Sequence, residues 1–293
     1  MKVSFHTYPK AYPWPWGWKR LRRKWYSFRS GLALRRAMSK DGVITRRGRG
    51  NKPTKADVAV MWSWKQRKII ADMTETGRKI IVIERGFIQP RNEWYSLAVD
   101  GFNNRGRFIK APDHGKRWQL HFSHHLKPWR KRSGNIALLI GQVPSDASLM
   151  GTDFITWAQE QTDRLIKMGL EVIYRPHPES STPCPVGAKL SENSLQHDFD
   201  HADRVVTFCS TTAVEAVLAG IPTVVCDIGS VAWPMCSHQV EDPLIRPDRT
   251  QWCHDLAWRQ WRLAELEDGT AWRAIKPLLT TSSNSTSSFS NGN

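Results

Sequence analysis

The sequence predicts an α/β protein built from two β/α domains in series, and three observations predict it. Short β-rich apolar runs alternate with segments of helical spacing along most of the 293 residues. Charge is partitioned: residues 1–134 hold 32 Lys and Arg against 8 Asp and Glu, a balance of +24, leaving 11 against 19, or −8, for the remainder of a chain of net charge +16. The stretch Val205 to Val225, VVTFCSTTAVEAVLAGIPTVV, reads as strand, helix, strand, the unit from which parallel sheets are assembled.

Taken in order, Lys2 to Phe5 is an apolar strand, Trp18 to Met38 a helix, Ala56 to Trp62 a strand, Arg67 to Thr76 a helix and Lys79 to Glu84 a strand. Trp94 to Val99 is a further β-like run. Lys127 to Gly134, KPWRKRSG, is polar, basic and closed by glycine, and is the expected linker. A second series follows: strand Asn135 to Gly141, helix Asp153 to Met168, strand Glu171 to Tyr174, short helix Leu195 to Ala202 and strand Arg204 to Phe208. Helix Thr212 to Ala219 has apolar residues at 213, 214, 217 and 218; Ser210 or Thr211 stands where an N-cap belongs, and Gly220 where a helix stops. Residues 251–279 are helical in pattern and rich in Trp. The tail 280–293, TTSSNSTSSFSNGN, has too little apolar surface to fold and is expected to be disordered. The expected domains are a basic 1–134 and an acidic 135–279 that carries the C-terminal helices.

Composition excludes several classes. No apolar run reaches the roughly 18 residues of a membrane helix, and the start MKVSFHTYPK lacks the apolar core of a signal peptide, so no membrane insertion is expected. Five cysteines form no C-x-x-C pair, which argues against a zinc ribbon or a disulfide scaffold and suits a reducing cytoplasm. A solubility surplus would spread over both halves; a basic half points to a polyanionic partner.

Three loops of the second half follow predicted parallel strands: Gly141-Gln142-Val143-Pro144-Ser145-Asp146, Arg175-Pro176-His177-Pro178 and Ser210-Thr211-Thr212. Parallel strands present such loops on one edge, where ligands bind. Arg offers a planar fork for phosphate, His a donor, and the helix start its N–H groups and hydroxyls. Glu215, one turn into the helix, suits ribose hydroxyls. The set reads as a nucleotide-diphosphate site, with a rigid RPHP turn and a plain capped helix as the alternative.

RPHP followed by CSTTAVEAVLAGIPTVV resembles the C-terminal, donor-binding domain of GT-B glycosyltransferases, especially the capsule-polysaccharide and phage-encoded branches, over about Asn135 to Leu279. The resemblance implies a GT-B fold, two Rossmann-like domains facing a cleft, with a nucleotide sugar as co-substrate, a UDP-sugar first. It implies that Ser210, Thr211 and Thr212 hold diphosphate, Glu215 ribose, and Arg175 or His177 the phosphates. With those groups available the transfer is expected not to need a metal strictly. The N-terminal half departs from better-known members: it has YPWPWGWKRLRRKWY in place of a Gly-rich first loop, so the acceptor is not implied.

That stretch alternates Trp14, Trp16 and Trp18 with Lys19, Arg20, Arg22 and Arg23, and RRGRGNKPTK adds Arg46, Arg47 and Arg49. Basic side chains neutralise phosphates and aromatic faces stack on bases, so these residues are the candidate contacts to double-stranded DNA. Trp25 and Phe28 suit core packing of an amphipathic helix. Together with the phage resemblance, this predicts a monomeric enzyme, in a host cytoplasm if phage-encoded, that glycosylates a hydroxymethylpyrimidine turned out of the duplex. An acidic polysaccharide or lipid-linked acceptor is the alternative; a nucleic-acid-binding protein with an inactive transferase domain is another.

A transfer to a hydroxyl calls for a carboxylate base. Among the eight acids of the first half, Asp100 after WYSLAVDG is the first candidate and Glu84 after KIIVIE the second; both face the cleft if their strands run parallel to the rest. Asp198-Phe199-Asp200 matches a D-x-D metal motif, but in a helix away from the expected cleft. His121, His124 and His125 have metal-like spacing without a nearby carboxylate, and Gly48-x-Gly50 follows no predicted strand.

Overall fold

The computed structural model of the chain describes residues 1–7, 18–48, 50–131 and 134–280, with side chains in the first helix from residue 25 onward. Trp14, Trp16 and Arg49, the side chains of Trp18, Lys19, Arg20, Arg22 and Arg23, and the tail beyond 280 lie outside the described residues.

The first sheet has six strands. β1 (Lys2–His6) lies between β2 (Ile44–Arg47) and β3 (Val58–Trp62), and β4 (Lys79–Arg85) follows β3; these four run parallel. The period of two in their side chains sorts them onto two faces. Val3, Phe5, Val58, Val60, Ile81 and Ile83 pack under α1 (Trp18–Lys40), and Ala59, Met61, Ile80 and Val82 pack under α2 (Arg67–Glu75) through Ile69 and Met73. Burial on both faces explains why these strands read as continuous apolar runs. β2, which the sequence presents as part of a basic loop, is an edge strand: Ile44 and Arg46 are exposed, and only its register with β1 marks it.

Two features of this sheet correct the expectations. β5 (Trp94–Val99) is antiparallel to β4, and β11 (Gln260–Arg262) pairs antiparallel with β5. The end of the chain therefore returns to the first sheet. α8 (Leu263–Glu267) and α9 (Thr270–Ile275) pack with α1, and Trp261, Trp272 and Ile275 are buried in its core. The Trp-rich terminus thus completes the basic half, not the acidic one.

The second sheet has five parallel strands in the order β10 (Thr223–Val225), β9 (Arg204–Thr207), β6 (Ile136–Ile140), β7 (Glu171–Arg175), β8 (Lys189–Leu190). α4 (Phe154–Lys167) starts at Asp153, whose carboxylate accepts from the Ile155 and Thr156 amides. α5 (Leu195–His201) and α6 (Thr212–Leu218) complete the crossovers. Parallel strands put the loops after β6, β7, β9 and β10 on one edge.

The two halves share a third core. Phe87, Ile88, Trp94, Trp118 and Phe122 of the first half are buried against Ala213, Val214, Val217 and Leu218 of α6 and Trp252, Cys253 and Leu256 of α7 (Thr250–Ala257). The expected linker is docked rather than loose. Lys127 N–H donates to Leu218 O and Arg130 N–H to Gly220 O, both at 2.8 Å, and a β-carbon on Gly220 (φ +77°) would lie 2.0 Å from Pro128 O.

Gln260 joins these parts. Its Oε1 accepts from the buried amides of Phe87 (2.7 Å) and Ile88 (3.2 Å). Replacing it with Leu leaves two buried donors without partners, at about 1–3 kcal/mol each. Urea unfolding of Gln260→Leu should show a loss of roughly 2–6 kcal/mol with an unchanged m-value.

Candidate functional site

The three loops of the second sheet lie at one edge, and the loop after β6 touches both others, through Gly141 to the loop after β7 and through Gln142 to the residue before the loop after β9. The Gly141 N–H donates to Arg175 O at 2.8 Å, and a β-carbon there would come within 3.0 Å of Arg175 O and His177 N and 2.8 Å of the Tyr174 hydroxyl. Gln142 is buried and binds the next loop: its Oε1 accepts from Cys209 N–H at 2.9 Å. It is placed as a brace between loops. Burial pushes the neighbouring Cys209 thiol up to about 11, so that thiol is a packing group and not a nucleophile.

At the start of α6, Thr212 N–H donates to Ser210 Oγ (3.2 Å), and the Ser210 hydroxyl donates to Thr212 Oγ1 (3.1 Å). Thr211 stands at the N-cap with no side-chain cap bond, and all three hydroxyl residues keep partial exposure. His177 Nδ1 accepts from Glu179 N–H at 3.1 Å. Arg175 departs from its expected role. Its guanidinium reaches towards α5, donating to Asp198 Oδ2 and Asn193 O, each at 2.7 Å, and Asp198 has only 2% of its side chain exposed. Asp198 also accepts from the Ser191 hydroxyl at 2.6 Å. The first acid of the D-x-D match is thus the ion partner of Arg175. Among the described residues no group of three His, Cys, Asp or Glu is placed to hold a metal.

The carboxyl edge of the first sheet forms the opposite wall. Glu84, near the end of β4, is partly exposed, and burial drives its carboxyl from the ordinary 4.5 to about 7. A hydrogen bond from Ser63, which sits at φ +61° after β3, and the charges of Arg91 and Lys65 oppose that rise, while Asp146 of the second domain adds to it. Glu84 therefore senses the loop after β6 across the cleft. Glu215 faces the same space from α6; burial raises its carboxyl, against Arg91 and a weak bond from Gln89, whose Nε2 lies 3.4 Å from both oxygens. Ser63, Lys65, Gln89 and Arg91 were not singled out by sequence, and Asp146 entered only as the last residue of the candidate loop after β6. The one signal was their position in loops directly after β3, β4 and β6.

Asp100 is not at the cleft. Because β5 runs antiparallel, its end lies at the opposite edge, where Asp100 pairs with Lys79 (3.2 Å) and Arg107 (2.7 Å) and accepts from Ile80 N–H. Trp25, expected in the core, is 56% exposed. Arg46 and Arg47 are exposed at the cleft-side end of β2, near Lys65, Arg67 and Lys68, which follow β3 and are also exposed. Gly48 has a packing role: a β-carbon would fall 2.3 Å from the His6 ring. The three histidines form no ligand set. His121 meets the Trp94 ring edge-on, and the His124 and His125 rings lie 4.1 Å apart, tilted by 39°.

No protein-family model and no curated protein matches the chain. Solved structures do, and two of them are of KpsC from Thermosulfurimonas dismutans. The β-Kdo 2,7-transferase structure is 14% identical with a TM-score of 0.53, over 89% of this chain and 91% of that one. The β-Kdo 2,4-transferase structure is 15% identical with a TM-score of 0.51, over 83% of this chain and 93% of that one. At such identities the likeness is one of fold, and with the two sheets facing across a cleft it defines the class: the chain has the GT-B fold, two Rossmann-like domains.

The Arg175–Asp198 pair generates a measurable distinction. Removing one partner of a buried pair strands the other charge, at about 3–5 kcal/mol. Arg175→Ala should lose that much in chemical denaturation, and Arg175→Ala/Asp198→Ala should recover part of it.

Proposed function

We propose that the protein is a glycosyltransferase that moves a sugar from a nucleotide-sugar donor, a UDP-sugar first, to a hydroxyl on a polyanionic acceptor, and that this acceptor is DNA carrying a 5-hydroxymethylpyrimidine. The observation that carries the reading is the placement of Glu84 near the carboxyl end of β4, on the wall opposite the hydroxyl-bearing loop after β9, where burial raises its carboxyl to about 7. A base of that strength is matched to neutral pH. Glu84 takes the proton of the acceptor hydroxyl as that oxygen bonds to the sugar carbon and the bond from sugar to diphosphate breaks. Ser210, Thr211, Thr212 and His177 offer donors to the departing diphosphate, and Glu215 accepts from the ribose.

DNA is favoured by the +24 balance of residues 1–134 and by the exposed Arg46, Arg47, Lys65, Arg67 and Lys68 along the cleft-side edge of that half. A base would be extruded to reach Glu84. The second reading, an acidic polysaccharide or lipid-linked acceptor, is favoured by the fold shared with the two Kdo transferase structures. No described helix is long and apolar enough to cross a membrane. Release of nucleoside diphosphate from a panel of nucleotide sugars, with hydroxymethylated duplex or acidic polysaccharide as acceptor, separates the readings. Turnover on the duplex alone supports DNA, turnover on the polysaccharide alone moves the acceptor there, and DNA binding without turnover on either leaves a non-catalytic binder. If about six phosphates are neutralised, log K for the duplex should fall with log salt at a slope near −5, at about 0.9 for each phosphate.

Glu84→Gln should lower turnover by about 10²–10⁴-fold. Because the base acts when ionised, the parent rate should rise with pH through about 7, a limb the variant lacks. The stability effect has the opposite sense. A carboxyl whose folded value is raised from 4.5 to about 7 stabilises the fold below 4.5 and loses that contribution as pH climbs through 7. Glu84→Gln should therefore melt higher than the parent at pH 8 and close to it at pH 4.

A further inference from the structure

The geometry points to Arg91 as a binding residue of the cleft that takes a phosphate oxygen of a nucleoside diphosphate whose ribose Glu215 holds. The inference rests on the donor reading above and adds to it a contact from the opposite domain. Arg91 belongs to none of the three donor loops. It lies in the loop between β4 and β5, and its Nε donates to Gly86 O at 2.8 Å, which fixes the direction of the guanidinium plane. Gly86 is itself immobilised: its N–H donates to Trp94 O at 2.8 Å, and a β-carbon would meet Trp94 Cβ at 2.5 Å and Gln260 Oε1 at 2.8 Å. The fork is thus pre-organised, the condition under which Arg binds phosphate well.

Its electrostatic setting separates a ligand group from a clasp between domains. Burial disfavours the charge of Arg91, Glu215 and Glu84 favour it, and Arg85 adds to the disfavour. Where opposite charges clasp this junction they close into contact, as Arg105 and Asp227 do at 2.7 Å. Arg91 and Glu215 are linked only through Gln89, whose Oε1 accepts from the Arg91 N–H at 3.3 Å and whose Nε2 lies 3.4 Å from both Glu215 oxygens, and they form no such ion pair among the described residues. Two opposed charges that do not close suit a ligand with a hydroxyl for the carboxylate and an anion for the guanidinium, separated by one sugar ring. A nucleoside diphosphate has that order of groups.

Calorimetric titration with uridine, guanosine and cytidine diphosphates and the matching nucleosides tests this on the full chain. For the diphosphate that the parent binds, Arg91→Ala should weaken affinity about 10–100-fold, the loss of a charge-assisted contact, and leave the nucleoside unchanged. Arg91→Lys should retain part of the affinity. Glu215→Ala should weaken nucleoside and diphosphate alike. Diphosphate affinity within about twofold of the parent in a folded Arg91→Ala overturns the assignment. Should that variant not fold, Arg91→Gln against Arg91→Lys decides: equal diphosphate affinities overturn it, and a loss confined to Gln supports it. A parent that binds no member of the panel overturns the donor reading itself, and the Arg91 assignment falls with it.

Discussion

The buried guanidinium of Arg117 is the constraint on which the cleft depends. It projects from α3 (Lys116–His121), where Nε donates to Ala257 O (2.9 Å), one terminal nitrogen to Gln260 O (3.0 Å), and both to the Glu265 carboxylate (2.5 and 2.7 Å). The rings of Trp94, Trp258 and Trp261 surround it at 5.6, 5.2 and 4.8 Å. A cation so enclosed tolerates burial only with its acceptors in place, and losing one partner costs about 3–5 kcal/mol. What it fixes is β11. β11 brings Gln260 to the amides of Phe87 and Ile88, and so sets the course of the loop that carries Gln89 and Arg91. A wall of the cleft is thus shaped by a contact between residues 173 positions apart in sequence.

The same connections make the cleft a preset shape. The apolar core between α6, α7 and residues 87–122 is continuous across the two halves, and polar contacts surround it: Arg105 with Asp227, Asn104 N–H on Gly229 O at 3.0 Å, and Arg249 on Lys127 O at 2.6 Å. Interfaces between domains move freely when small and polar. This one is apolar at its centre and laced at its rim, so Glu84, Asp146 and Glu215 hold their relative positions. For a transfer between two bound substrates, fixed geometry supplies much of the barrier reduction that proximity can give.

Much of the second half was legible because its signals are local. Strand, loop and helix from Val205 to Val225 follow the written pattern, and the convergence of Gly141, His177 and Ser210 follows from parallel strands, which that pattern implies. The misses share one cause. Periodicity reports that Trp94–Val99 is a strand but not its direction, and direction alone moved Asp100 to the far edge while leaving Glu84 at the cleft. A three-residue strand such as Gln260–Arg262 has no period of its own, and lies in a helical, Trp-rich stretch whose partner is Trp94–Ser96. Arg175 was placed at the correct strand end; its preference for Asp198 depended on a burial that a one-dimensional reading does not contain.

The scarcity of acids in the first half turns the proposed base into an elimination. Asp41 accepts from the Trp272 indole and Lys276, Asp57 from the Lys2 amide, and Asp72 from Arg78. Asp100 holds Lys79 and Arg107, and Asp113 caps α3 through the Gly115 and Arg117 amides. Glu75 ends α2, away from the carboxyl edge where that helix begins. Glu93 shares the cleft edge but stands exposed in solvent. Glu84 alone among the eight is at the cleft, crowded by protein and opposed by charge from the other domain. If the acceptor is a polyanion, as proposed, the half-molecule that attracts it can carry few carboxylates near its entrance, since each would repel the acceptor. Burial reconciles the two demands: a carboxyl held near neutrality carries only part of its negative charge while the acceptor arrives, and still ionises when the proton has to move.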